Sequence, residues 1–249
     1  MKIGFFGDSF CQDIDSDYNY DTYIKKLANH YNAEITSTGV GGTSIWDTIL
    51  IQFDPYRGNL PDVCVFVWSD PSRLFHRLIR GINSSRFLNK RIKNIPQHST
   101  AIKLYYQHIY DIDHAIFSYT SALYYFDNVV LNNITTDTKF IHMWSFGESN
   151  NIAAITTGHD SMNHDPRYKF YLHDWKTGVE LRPPLASISI TESKNIRQLT
   201  SVDPRPNHLD GEEKNELVFN WIKHAIDSYE VGKCLDFRDD VIALREVGI

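Results

Sequence analysis

The sequence predicts a three-layer α/β/α sandwich built on a mainly parallel, flavodoxin-like sheet, and three observations carry that expectation. Short apolar runs rich in β-branched and aromatic residues recur along the chain, helical patterns separate them, and turns of small or polar residues close the runs. Strands that alternate with helices pair in parallel, because each crossover helix returns the chain to the same end of the sheet.

Lys2 to Phe6 is the first strand, an apolar run stopped by Gly7-Asp8-Ser9. Residues Asp21 to Tyr31 read as a helix with Tyr23, Ile24, Leu27, Ala28 and Tyr31 at helical spacing and Asp21 as its cap. Ala33 to Ser37 is the second strand and leads into Gly39-Val40-Gly41-Gly42. Asp62 to Trp68 and Lys139 to Trp144 are the third and fourth strands. Between them Ile102, Tyr105, Ile109, Ile112, Ile116, Tyr119, Leu123, Phe126 and Val130 recur at three-four spacing, uninterrupted by Gly or Pro. Such a stripe either packs on the sheet or, sustained for about four heptads, forms a seam with a second copy of the chain. Asn150 to Asn195 shows weak periodicity, several turn signals and Pro183-Pro184, which suits an irregular insertion forming a lid or substrate wall. From Gly211 to Tyr229 a last helix presents Val218, Trp221, Ile222, Ala225 and Tyr229 on one face. The whole reads as one domain, 1–249, with a helical insertion at about 97–133 and the irregular one at about 150–195.

With 249 residues, 42% of them apolar, the chain can bury one sizeable core. A net charge of -6 and a pI near 6.0, with basic residues scattered apart from Lys90, Arg91 and Lys93, speak against a nucleic-acid-binding surface. Cys11, Cys64 and Cys234 have neither the density of a disulfide scaffold nor zinc-ligand spacing, so reduced thiols are expected. The N-terminus lacks a cationic region followed by an apolar stretch, and no apolar run is long enough to span a bilayer. An unexported protein off the membrane is the expectation, and the sequons at Asn83 and Asn133 then carry no weight.

A serine placed after a strand and just before a helical segment combines an exposed hydroxyl with a backbone N–H aimed at an oxyanion. Phe6-Gly7-Asp8-Ser9-Phe10 suits that need, with Gly7 permitting the turn and Asp8 tying it down through backbone hydrogen bonds. Gly-Asp-Ser is also ordinary turn chemistry, so the triplet alone leaves both readings open. Active sites in parallel sheets lie beyond the carboxyl ends of strands, where Ser9, Gly42 and Ser69 all fall.

The run from Gly4 to Phe10, GFFGDSF, resembles the first signature block of the SGNH (GDSL) hydrolases. Ser37-Thr38-Gly39-Val40-Gly41-Gly42-Thr43-Ser44 resembles their glycine block, and Pro206-Asn207-His208-Leu209 their histidine block. The resemblance spans nearly the whole chain and implies an ester hydrolase working without metal or cofactor. Ser9 would be the nucleophile, His208 the general base, and the Ser9 and Gly42 backbones the oxyanion donors. By family habit the substrate would be a small-molecule or glycan ester, with a small acyl group on a carbohydrate, while thioesters and lipid esters stay open; the aromatic residues Tyr168, Tyr171 and Trp175 either stack on the sugar or, as such residues more often do, hold the long insertion down.

Two positions depart from the family pattern. Arg205 stands where the family has an aspartate three residues before its histidine, and the nearest upstream acid is Asp203. Either Asp203 completes a triad or a backbone carbonyl orients a Ser–His dyad. In the third block, Val67-Trp68-Ser69-Asp70, Ser69 replaces the asparagine that serves the oxyanion hole. A serine there is a third donor on a shorter arm; if it merely ends its strand, Asp70 or Arg73 shapes the pocket instead. The stretch from Trp68 to Arg73 is similar to divergent members found in phage genomes. A fold kept as a binding module after catalysis decayed, or an acyltransferase, are the other functions compatible with these departures.

Rival motifs fit their chemistry poorly. Asp13, Asp15, Asp17, Asn19 and Asp21 alternate like a calcium loop, but Tyr18 and Ile24 occupy the positions that need glycine and glutamate. The glycine turn has Ser44 where a dinucleotide fingerprint needs its third glycine, and it lacks a phosphate-loop lysine. The pairs His159-Asp160, His164-Asp165 and His173-Asp174 match no metal-ligand spacing.

Overall fold

β1 (Lys2–Gly7) lies between β2 (Glu34–Ser37) and β3 (Val63–Trp68), and β4 (Lys139–Trp144), β5 (Val179–Arg182) and β6 (Cys234–Asp236) follow outward from β3. All five pairings in this six-stranded sheet, order β2-β1-β3-β4-β5-β6, are parallel. The structure, a computed structural model, describes residues 1–13, 20–77, 82, 96–146, 173–189, 208–209 and 211–246.

β3 shows why the sequence builds layers on both faces. Successive side chains of a strand point to opposite faces. Val63, Val65 and Val67 accordingly enter a core with Leu27 of α1 (Tyr23–Tyr31) and with Val218, Trp221, Ile222 and Ala225 of α6 (Glu212–Asp227). Cys64, Phe66 and Trp68 enter a second core on the other face. Their partners there are Ile45 of α2 (Ile45–Asp47), Phe53 of the π-helical turn Thr48–Phe53, and Ile116, Tyr119 and Leu123 of α4 (Ile112–Tyr125). Burial on both faces explains the unbroken apolar run, and the α/β architecture expected from the sequence is present.

Several boundaries differ from the expectation for identifiable reasons. Thr22, one residue past Asp21, caps α1: its Oγ1 accepts from Lys25 N at 3.3 Å. The stripe between β3 and β4 is two helices, α3 (Pro96–His108) and α4, because Asp111 starts a new helix by accepting from His114 N at 2.8 Å. Ile116, Tyr119, Leu123, Phe126 and Val130 from that stripe pack on the sheet, whereas Ile109 at the break is 70% exposed. Three further elements lie where the sequence offers no periodic signal: β5 inside the stretch read as irregular, and β6 with α7 (Arg238–Glu246) beyond the helix read as last. α5 (Ala186–Ser189) is a single turn. No described helix is long and apolar enough to cross a membrane.

Trp175 is 5% exposed and belongs to the second core, so it is no sugar platform; Tyr168 and Tyr171 lie outside the described residues. Its ring stacks on His142 at 3.4 Å between centroids, and His142 in turn stacks on Trp68. Trp68 Nε1 donates to His142 Nδ1 at 3.3 Å, which fixes the neutral tautomer with its proton on Nε2. Burial holds the His142 pKa well below the usual histidine value, against an upward pull from Asp127 and with a further downward push from His173. Its neutral form therefore contributes stability in full above about pH 6.5, where the unfolded chain is also neutral. Below that pH the unfolded chain takes up a proton that the native state refuses, so stability falls as pH falls, by up to about 1.4 kcal/mol per pH unit. Urea unfolding of the wild type between pH 7.5 and 5 should show this loss, and His142→Phe should have a flatter profile by about one proton. Parallel profiles would remove His142 as the source.

Candidate active site

Four strand ends converge on one edge of the sheet. Ser9 follows β1, the glycine turn follows β2, Ser69 follows β3 and Ser145 follows β4. With β1 between β2 and β3, this edge includes the switch point at which open α/β sheets hold their ligands.

Ser9 opens a short 3-10 turn, Ser9–Cys11, whose entry is fixed by Asp8: Oδ1 accepts from Phe10 N at 3.0 Å. The same Oδ1 accepts from Ser145 Oγ at 2.7 Å, and Oδ2 accepts from Arg73 Nη1 at 2.9 Å. Asp8 is fully buried, so these three donors replace the water it gives up on folding. Gly7 is held just as closely. Gln52 Oε1 accepts from its N–H at 2.7 Å, while its carbonyl accepts from Gln52 Nε2, Thr43 Oγ1 and Val40 N. The strand end that presents Ser9 is thus tied to the glycine turn and to the π-helical turn behind it.

The glycine turn lies directly against the serine. A Cβ built on Gly41 would stand 3.6 Å from Ser9 Cβ and 2.9 Å from Gln12 Oε1. Gly42 has φ 83°, a value glycine reaches without steric cost. Among the described residues neither the Ser9 nor the Gly42 N–H has an acceptor. Ser69 reaches the same place but faces the turn: its Oγ donates to Thr43 O at 2.7 Å, and Tyr119 Oη donates to Ser69 O at 2.8 Å. The hydroxyl proton of Ser69 is therefore held by Thr43.

His208 comes within reach of Ser9 from 199 residues away, with Nε2 to Oγ 2.5 Å. Its backbone has φ 57°, a left-handed conformation that costs a non-glycine residue about 1–3 kcal/mol and persists only where surroundings impose it. Ser189 Oγ donates to the His208 carbonyl at 2.7 Å, Leu209 is fully buried, and the Phe10 ring packs 4.8 Å from the imidazole. Asp203, Arg205 and the rest of the preceding loop lie outside the described residues.

Cys11, two residues past Ser9, is not a competing nucleophile. Its Sγ donates to Asp8 O at 3.4 Å, and burial, then the neighbouring Asp8, raises its pKa well above the ordinary thiol value, so it stays protonated. A hydroxyl with an imidazole nitrogen in hydrogen-bond contact, beside two backbone donors that have no acceptor among the described residues, is an arrangement that can carry acyl transfer.

No family model matches the chain, and no curated protein matches it. Among solved structures, one described as a putative GDSL-like lipase from Parabacteroides merdae matches over 89% of this chain and 94% of its own, with 11% identity and a TM-score of 0.41.

Of the three His-Asp pairs set aside as metal ligands, His173-Asp174 is described, and His173 pairs through Nε2 with Asp127 Oδ2 at 2.9 Å. Asp127 also accepts from Lys176 N and from Thr177 N and Oγ1. Burial raises the Asp127 pKa, but these bonds, with His173 foremost, outweigh it and hold the carboxyl below its usual range. The pair braces the segment leading to β5. His159-Asp160 and His164-Asp165 lie outside the described residues, as do Asp15, Asp17 and Asn19.

Gln52 and Ser145 belong to none of the motifs in the sequence, and Thr43 stands in the glycine block without a role of its own there. Gln52 sits among apolar residues in a helical pattern, and a polar residue at a core-facing position is the signal that could have marked it.

Proposed function

We propose that the protein is a serine ester hydrolase of the SGNH type. The reading rests above all on the 2.5 Å contact between His208 Nε2 and Ser9 Oγ, made by residues far apart in sequence. His208 takes the Ser9 proton as the oxygen attacks the ester carbonyl, and the tetrahedral intermediate collapses to an acyl-enzyme as the same proton passes to the leaving alcohol. Water then attacks with His208 again as base, releasing the carboxylic acid and restoring Ser9. The N–H groups of Ser9 and Gly42 receive the oxyanion. Ser69 supports the hole through the Thr43 carbonyl, and Asp203 orients the imidazole. None of these steps calls for a metal or cofactor. For the substrate we propose a small acyl group on a carbohydrate, on the family resemblance alone.

A fluorophosphonate probe tests the assignment directly. The native protein should be labelled and Ser9→Ala should not; equal labelling of the two would end the assignment of Ser9 as nucleophile.

A further inference from the structure

The oxyanion donors sit on two separate loops, Ser9 on one and Gly42 on the other, and one nitrogen outside both loops joins them. Arg73 Nη1 donates to Asp8 Oδ2 at 2.9 Å and to Thr43 O at 3.0 Å. Asp8 immediately precedes Ser9 and Thr43 immediately follows Gly42, so the bridge spans the residues flanking both donors. The contact is shielded from solvent, with side-chain exposures of 9% for Arg73 and 0% for Asp8. The guanidinium also lies over the Phe146 ring at 5.4 Å, and Phe146 packs edge-on against Phe10, which contacts the His208 ring.

We propose that Arg73 is the positioning residue of the oxyanion hole, in a chain whose third-block serine is turned to Thr43. This rests on the esterase reading above. Arg73 acts in two ways through the same nitrogen. It fixes the spacing of the two loops, and preorganised donors lose effect when displaced by about 0.5 Å. It also balances the Asp8 carboxylate, which would otherwise place a buried negative charge beside the oxygen that becomes negative in the transition state. Neither role involves contact with the substrate, so its removal lowers turnover and leaves ground-state binding alone.

Steady-state hydrolysis of an activated acetyl ester, with kcat expressed per site titrated by fluorophosphonate, separates this role from a merely structural one. Arg73→Met should lower kcat by about 100-fold with KM within about threefold of the wild type. Arg73→Lys keeps the charge on a shorter, point-like donor and should recover part of the loss, leaving kcat about tenfold down. If Arg73→Met fails to fold, Arg73→Lys decides the matter with the double variant Asp8→Asn/Arg73→Met, which removes the buried charges together and should also turn over at least tenfold more slowly. Wild-type kcat in Arg73→Lys, or a change confined to KM, overturns the proposal while leaving the esterase intact. A wild-type chain that neither hydrolyses the ester nor takes the probe overturns the esterase reading and this proposal with it.

Discussion

Ser9→Ala and His208→Ala should each lower kcat/KM for an activated acetyl ester by about 10⁴-fold or more, with the fold unchanged. In the proposed mechanism Ser9 supplies the attacking oxygen, and without His208 Nε2 that oxygen keeps a proton that suppresses its nucleophilicity at neutral pH. The two act as one unit, so Ser9→Ala/His208→Ala should be little worse than either single variant. On the proposed mechanism, what activity survives should come from binding and from the backbone donors of Ser9 and Gly42. Additive losses would mean that the residues act independently and that the 2.5 Å contact is not the working one. Retained activity in Ser9→Ala would remove the hydrolase reading altogether. Circular dichroism and the urea midpoint are the accompanying controls, since Ser9 and His208 are only partly buried and their truncation should leave the core intact.

The Ser9 turn was legible because a strand, a glycine and a polar turn adjoin one another from Lys2 to Ser9, and each obeys a local rule. Asp8 as the tie of that turn is equally local, since its bond to Phe10 N spans two residues. What holds the turn from outside obeys no local rule. Gln52 reaches Gly7 across 45 positions, Arg73 reaches Asp8 across 65 and Ser145 reaches it across 137; the parallel pairing of β1, β3 and β4 brings Arg73 and Ser145 to one edge, and the packing of the Thr48–Phe53 turn against β1 brings Gln52. The two short strands were illegible for a different reason. Val179–Arg182 and Cys234–Asp236 have too few residues for alternation to emerge, and their pairing against β4 and against one another makes them strands. The break before α4 was signalled by Asp111, but a continuous apolar period masks a cap whenever both helices share its phase.

Gly7→Ala should be the most damaging substitution for stability near the site, by about 2–6 kcal/mol. Two costs combine. Gly7 has φ 153°, a backbone conformation that residues with a Cβ rarely adopt. A Cβ there would also stand 2.2 Å from the Val67 carbonyl oxygen and 3.0 Å from its carbonyl carbon. Those atoms belong to the β3 backbone, paired in register with β1, so they cannot swing aside as a flexible side chain would. The strand end must move, and it carries with it the hydrogen bonds of Gly7 to Gln52, Thr43 and Val40. Because Ser9 is two residues on, the same shift pulls its Oγ away from His208 Nε2. The variant should therefore unfold at markedly lower urea and, in conditions where it remains folded, react with fluorophosphonate more slowly than the wild type. Cys64 is the contrasting control: it is buried in β3 away from these contacts, and Cys64→Ala loses only a small apolar group, which should cost about 1 kcal/mol and leave the labelling rate unchanged. A Gly7→Ala protein with wild-type stability and wild-type labelling would show that β1 and β3 are not packed closely enough for the turn to depend on the missing side chain.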